Sequence, residues 1–120
     1  MNKDEVKGKA KDIVGDQRLS EDNSLVGVRS IAALKVDVEG FEFQALKGSV
    51  RTLEAHAPLV LVEGGNRVPH LHKFMDRLGY GNAERDGLVL IDQQGTATAL
   101  NGFYLHSDRK ELYRELGIYR

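Results

Sequence analysis

The stretch Leu34-Lys35-Val36-Asp37-Val38-Glu39-Gly40 constrains the fold of this chain more than any other. It reads as an apolar strand that ends in two carboxylates and a glycine. A helix-period segment, Phe41-Glu42-Phe43-Gln44-Ala45-Leu46-Lys47-Gly48, follows at once. An acidic residue at the carboxyl end of a strand, just before a helix, stands where open α/β sheets place their ligand crevice.

The pattern continues as alternating strand and helix. Residues 31–38 read as a buried strand and residues 42–56 as one helix whose Phe43, Leu46, Val50 and Leu53 share a face. Glu39 and Glu42 suit the positive end of its dipole, and Pro58 follows its stop. Residues 59–63 form a second buried strand without polar alternation, and Gly64-Gly65-Asn66 turns the chain. A helix over 68–78 turns Leu71, Phe74, Met75 and Leu78 inward and closes at Gly79. Strands are expected at 88–92 and 102–106, with a short extension at 97–99 and a terminal helix over 110–117 that carries Leu112 and Leu116. Two buried strands joined by a helix imply a parallel pair with a right-handed crossover. The short connection between the last two strands predicts that they pair antiparallel. The expected fold is therefore α/β, a mixed sheet of about four strands with helices packed on it.

Residues 1–27 differ from the rest. They are rich in Lys, Asp, Glu and Gly, and Val6, Ala10, Ile13 and Val14 recur at helical spacing. The Glu5–Lys9 pair supports a helix and Gly8 and Gly15 oppose it, so this segment reads as a weak solvated helix and a linker. The domain proper is then 28–120. The formal net charge of −1 offers no electrostatic footprint for nucleic acid or an anionic membrane. The chain has no cysteine, which excludes disulfides and thiolate chemistry. Its longest strongly apolar run, Leu59-Val60-Leu61-Val62, is far short of a membrane span, and its start lacks an apolar signal core, so a cytoplasmic location is expected.

The segment Leu34-Lys-Val-Asp-Val-Glu-Gly-Phe-Glu, with Leu46-Lys47-Gly48 downstream, resembles the FkbM family of S-adenosylmethionine-dependent methyltransferases. The resemblance extends to Pro58, the apolar strand and Glu63, and to Asn101-Gly102-Phe103-Tyr104-Leu105 as the closing strand, covering residues 30–108. It implies the later half of a Rossmann-like methyltransferase fold, in which the last strand inserts antiparallel between two others. It also implies S-adenosylmethionine as cofactor and methyl transfer to a hydroxyl of a small-molecule substrate. The Gly-rich turn that opens such a fold has no counterpart after a strand here, so the expectation is a truncated half with weakened cofactor binding. Residues 1–16 resemble the start of CsbD-like stress-response proteins. The competing reading is a non-catalytic stress or interaction protein that uses the half-fold as a scaffold.

On that resemblance Asp37 and Glu39 are the catalytic candidates, and Asp37 and Glu63 the cofactor-binding ones. Asp37 would orient or deprotonate a substrate hydroxyl. The alternative is structural: Glu39 caps the next helix and Asp37 bonds loop amides. Glu63 either lines the same crevice or bonds the Gly64-Gly65-Asn66 turn. Lys35 covers the sheet with its stem and has no catalytic role. His70 and His72, two apart, do not share a helical face and lack a third ligand, so they read as solvated surface and no metal is expected. The four tyrosines, Tyr80, Tyr104, Tyr113 and Tyr119, read as core or rim. A half-sheet leaves one edge of the 31–38 strand unpaired, so the chain is expected to cover it with its own N-terminal segment, to form a homodimer, or to bind a completing partner.

Overall fold

The structure, a computed structural model, describes Asp12–Val14 and residues 30–120. Its centre is a parallel pair. β2 (Ala33–Val36) and β3 (Leu59–Val62) run side by side with Leu34 opposite Val60 and Val36 opposite Val62. That register stacks four fully buried side chains on one face. Residues two apart share a face, so Lys35 and Leu61 stand on the other, where Lys35 is exposed and Leu61 half-buried. β3 is thus fully buried on one side and half-buried on the other, where Leu59 packs against the second apolar cluster.

The connection is helical but broken. In place of one helix over 42–56 there are α1 (Glu42–Lys47) and α2 (Val50–His56). Gly48 is a poor helix former, and the Ser49 hydroxyl donates to the Ala45 carbonyl at 2.9 Å, a back-bond that bends helices. The break keeps Leu46 and Leu53 inward, both fully buried, each worth about 1.5–3 kcal/mol of transfer energy. α2 ends at Ala57, which is held at φ 44° ahead of Pro58. Pro58 disfavours a continued right-handed helix at the residue before it.

After β3 a 3₁₀ turn (Gly65–Arg67) precedes α3 (Leu71–Arg77). The helix starts three residues later than its apolar pattern suggests, because His70 takes a left-handed conformation just after Pro69. Leu71 and Met75 are fully buried, as expected. Gly79, at φ 90°, closes the helix, and a Cβ there would lie 2.6 Å from Nε2 of His106.

The strand that follows, β4 (Tyr80–Asp86), was not expected. Its sequence is polar, with only Tyr80 and Ala83 buried, and pairing on both sides makes it a strand. β4 joins β5 (Val89–Asp92) through a two-residue turn whose first residue, Gly87, has φ 68°, and the exposed Leu88 sits in that turn. β6 (Gly102–His106) pairs antiparallel with β4 on one side and with β3 on the other. The last two strands therefore do not pair with each other, contrary to expectation, and 97–99 is not a strand. The outer edge of β5 is covered by the chain end: the Leu90 amide donates to the Ile118 carbonyl and the Arg120 amide to the Leu90 carbonyl.

The sheet order is β1-β2-β3-β6-β4-β5, with β1 (Asp12–Val14) antiparallel to β2. The sheet has six strands where about four were expected, β1 and β4 being the additions. The last strand, β6, inserts antiparallel between β3 and β4, as the Rossmann-like reading requires. β1 lies in the stretch read as a weak helix and pairs over three residues with the β2 edge, which is the N-terminal cover named among the three expectations for that edge. The rest of the N-terminal reading, including the CsbD-like resemblance, lies outside the described residues.

Two apolar clusters form. The larger joins Leu34, Val36, Val60 and Val62 to residues of α1, α2 and α3, with Tyr80 and Tyr104. The smaller unites Ala83, Leu90, Leu105, Tyr113 and Tyr119. All four tyrosines are buried. In α4 (Lys110–Glu115) the inward residue is Tyr113, whereas Leu112 and Leu116 face solvent, reversing the expected face. Burial pushes the Tyr80 and Tyr104 phenols far up, and each hydroxyl has a partner. Tyr80 donates to the Pro58 carbonyl at 2.7 Å, and the Tyr104 hydroxyl lies 2.8 Å from Nδ1 of His72. His72 is therefore the polar lid of a core tyrosine and not merely solvated surface. Among the described residues no buried side-chain polar atom lacks a partner, and no helix is long and apolar enough to cross a membrane.

Candidate functional site

At the carboxyl ends of β2 and β3 the chain leaves the sheet through Asp37-Val38-Glu39-Gly40 and through Glu63-Gly64. Val38 is buried and anchors the corner, so Asp37 and Glu39 on either side of it are exposed. The Phe41 amide donates to the Val38 carbonyl at 2.9 Å and tightens the turn. Gly40, at φ 88°, takes a conformation that side chains disfavour. Its amide is bound by Glu42, whose Oε1 and Oε2 accept at 3.2 and 2.9 Å. Glu42, largely buried, is thus the acid that fixes the corner. The structural role assigned to Glu39 belongs to Glu42 instead, and α1 has no side-chain cap from Phe41.

The parallel register carries Val36 beside Val62, so the next residues, Asp37 and Glu63, come side by side. The Glu63 amide extends the ladder to the Val36 carbonyl at 2.9 Å. The charge of Asp37 and then a side-chain hydrogen bond with Asp37 push the Glu63 carboxyl above the usual carboxylate range. Slight desolvation and the charge of Glu39 add to this, and Lys35 opposes it. All three sequence-derived acids therefore meet electrostatically at one corner. Such a pair favours sharing a proton, or receiving a cation or a hydroxyl donor between its members.

The alternative assigned to Glu63, a bond to the following turn, is taken by asparagines. Oδ1 of Asn101 accepts from the Gly64 amide at 3.0 Å, and Nδ2 of Asn66 donates to the carbonyls of Ala99 and Asn101, both at 2.9 Å. Asn82 joins them by donating to the Phe103 carbonyl at 3.1 Å. A Cβ on Gly65 would lie 2.8 Å from Cβ of Val62, and one on Gly102 would lie 2.9 Å from Cε2 of Tyr104. Sequence reasoning missed these asparagines, although the pairs Gly65-Asn66 and Asn101-Gly102 mark them as turn builders.

Behind the corner an open groove of about 670 Å³ runs between α1 and the 64–69 loop. Gly40 and Gly64 belong to its wall, but Asp37, Glu39 and Glu63 do not. Its cations, Lys47 and Arg67, also escaped the sequence reading. Among the described residues no cluster of three or more His, Asp or Glu could hold a metal ion.

A family model described as the methyltransferase FkbM domain matches residues 13–81. The match begins upstream of the stretch on which the resemblance was read, within β1, and it ends at the start of β4, before the closing strand. No curated protein and no solved structure matches the chain. The family match spans more than half of the 120 residues, including the β2 corner, both short helices and β3, and by it the chain belongs to the FkbM methyltransferase domain family.

Proposed function

We propose that the protein takes part in S-adenosylmethionine-dependent methyl transfer to a hydroxyl oxygen of a small molecule. The observation that carries this reading is the Asp37–Glu63 pair at the ends of the two parallel strands, with Glu63 raised by its neighbour. Two carboxylates that repel each other gain from a ligand that brings positive charge and hydroxyl donors. S-adenosylmethionine has both, in its sulfonium, its ammonium and its ribose hydroxyls, so the residues fit the polar side of that cofactor. Asp37 and Glu63 are the groups that would hold it. When bound it supplies an electrophilic methyl group.

The chain's own residues have two further tasks in this reading. Asp37 or the exposed Glu39 accepts the proton of the substrate hydroxyl, a role open to a carboxylate within hydrogen-bond reach. The Glu42–Gly40 bond fixes the turn after β2, and the Asn66–Asn101 network ties the turn after β3 to the segment that leads into β6. Preorganised charge of this kind acts without reorganisation when the ligand arrives.

Amide spectra of the full chain, titrated with S-adenosylmethionine, test the proposal. Saturable shifts confined to residues 37–40 and 63–64 are expected. S-adenosylhomocysteine, which lacks the sulfonium charge, should bind about tenfold more weakly. Shifts that never saturate, or that map elsewhere on the sheet, would remove the basis for this function.

A further inference from the structure

The groove behind the corner has a composition that the methyl-donor reading does not use. Its volume, about 670 Å³, is that of a small-molecule site. Phe43, Val68 and Leu100 give it apolar walls, and Lys47 and Arg67 stand in the same lining. Phe43 is fixed from behind by Phe74, with ring centroids 5.2 Å apart, and Nζ of Lys47 lies 5.2 Å from the Phe43 centroid. Among the described residues neither Lys47 nor Arg67 forms an ion pair, a state they share with Lys35, Arg51, Lys73, Arg77, Arg85 and Arg109; what sets these two apart is their place in the groove lining. The acid in the lining, Glu42, already spends both carboxylate oxygens on the Gly40 amide. The groove lining therefore carries two cations and one acid, and the oxygens of that acid are turned to the Gly40 amide.

We infer that this groove binds the methyl acceptor, and that the acceptor is a small molecule with an apolar body and an anionic group, a carboxylate or a phosphate, held by Lys47 and Arg67. The inference rests on the methyltransferase reading of the corner and adds to it the class of substrate. The electrostatics also set the direction in which such a molecule lies. Asp37 and Glu63 repel an anion, so its charged end sits at Lys47 and Arg67 and its hydroxyl end points toward the strand ends. Gly40 and Gly64 lie between the two regions along the chain. A Cβ on either would meet nothing within 4 Å, so this boundary is bare backbone with open space above it. Planar guanidinium chemistry makes Arg67 the main anion contact, with Lys47 as a point charge near the Phe43 face.

Amide spectra of the full chain, recorded without methyl donor, test this with three probes: 4-hydroxyphenylacetate, phenyl phosphate and the neutral 4-hydroxyphenylacetamide. At least one anion should shift the amides of Phe43, Arg67 and Val68 saturably, with an affinity about tenfold above that of the amide. Whichever anion binds more tightly names the group. Arg67→Gln and Lys47→Gln, both at exposed positions, should each cut that preference by about threefold or more and leave the rest of the spectrum unchanged. Equal binding of the amide and both anions, a preference untouched by either variant, or no saturable shift below about 20 mM would each overturn the inference. Donor binding is not read in this experiment. Failure here leaves the donor site standing, and failure of S-adenosylmethionine to bind would not erase a measured anion preference.

Discussion

The two ends of the sheet use carboxylates in opposite ways. At the β2–β3 corner, Glu63 faces Asp37 and its carboxyl is pushed above the usual range by that neighbour. At the other end, Asp92 accepts from the Tyr119 hydroxyl at 2.6 Å and from Nζ of Lys110 at 3.0 Å. Those two hydrogen bonds, Tyr119 first, hold the Asp92 carboxyl below the usual range. Arg114 and Lys110 stack over the Tyr119 ring at 4.9 and 5.4 Å, so the chain end is clasped by charge as well as by packing. Charges that serve the fold meet opposite partners within the chain. Charges at the corner meet chiefly like partners, with only the Lys35 charge opposing them. That contrast, more than the identity of any one acid, is the ground for proposing the corner as the site.

The largest effect that would sharpen this contrast is on stability. Tyr119→Ala removes a buried ring packed with Leu90 and Leu105 and should cost about 3 kcal/mol in urea unfolding. Asp37→Ala should leave the urea midpoint unchanged or slightly raised, because it removes a repulsion at an exposed site. Equal losses from the two variants would break the comparison. Tyr119→Phe, which keeps the ring and deletes only the bond to Asp92, should cost about 1.5 kcal/mol by the same measurement.

The pH dependence of stability should differ in sign between the two ends, a smaller effect. Glu63 has a raised folded-state pKa, so in the window above the ordinary glutamate value the folded chain binds more protons than the unfolded one. Its contribution is fully present below that ordinary value and is lost as pH rises through the raised one. Asp92 has a depressed pKa, so its contribution is present above the ordinary aspartate value and is lost as pH falls through the lowered one. In melting curves across the acid range, Glu63→Gln should abolish the loss of stability with rising pH. Asp92→Asn should flatten the loss at the acid end. Identical profiles for the two variants would contradict the assignment.

Much of the corner was legible in the sequence, because a one-residue alternation decides it. Leu34, Val36 and Val38 go inward, so Lys35, Asp37 and Glu39 must face out, and a parallel partner must bring Glu63 alongside. Local pattern did not reveal features imposed by distant partners. β4 is polar and becomes a strand only because β5 and β6 hydrogen-bond to it on both sides. α4 turns Tyr113 inward and not Leu112, because the space beneath it is shared with Leu105 and Tyr119. The break between α1 and α2 had a local signal in Gly48-Ser49, but a continuous apolar face across it concealed the interruption. His72 gave no sequence sign of its task, which depends on Tyr104 32 positions away.

The central claim is that the Asp37–Glu63 corner receives a nucleoside-borne methyl donor, and calorimetric titration of the full chain with S-adenosylmethionine tests it most directly. The account predicts micromolar binding that Asp37→Asn weakens by about tenfold, with the fold intact. An absence of heat up to millimolar ligand, or an affinity indifferent to Asp37→Asn, would contradict it.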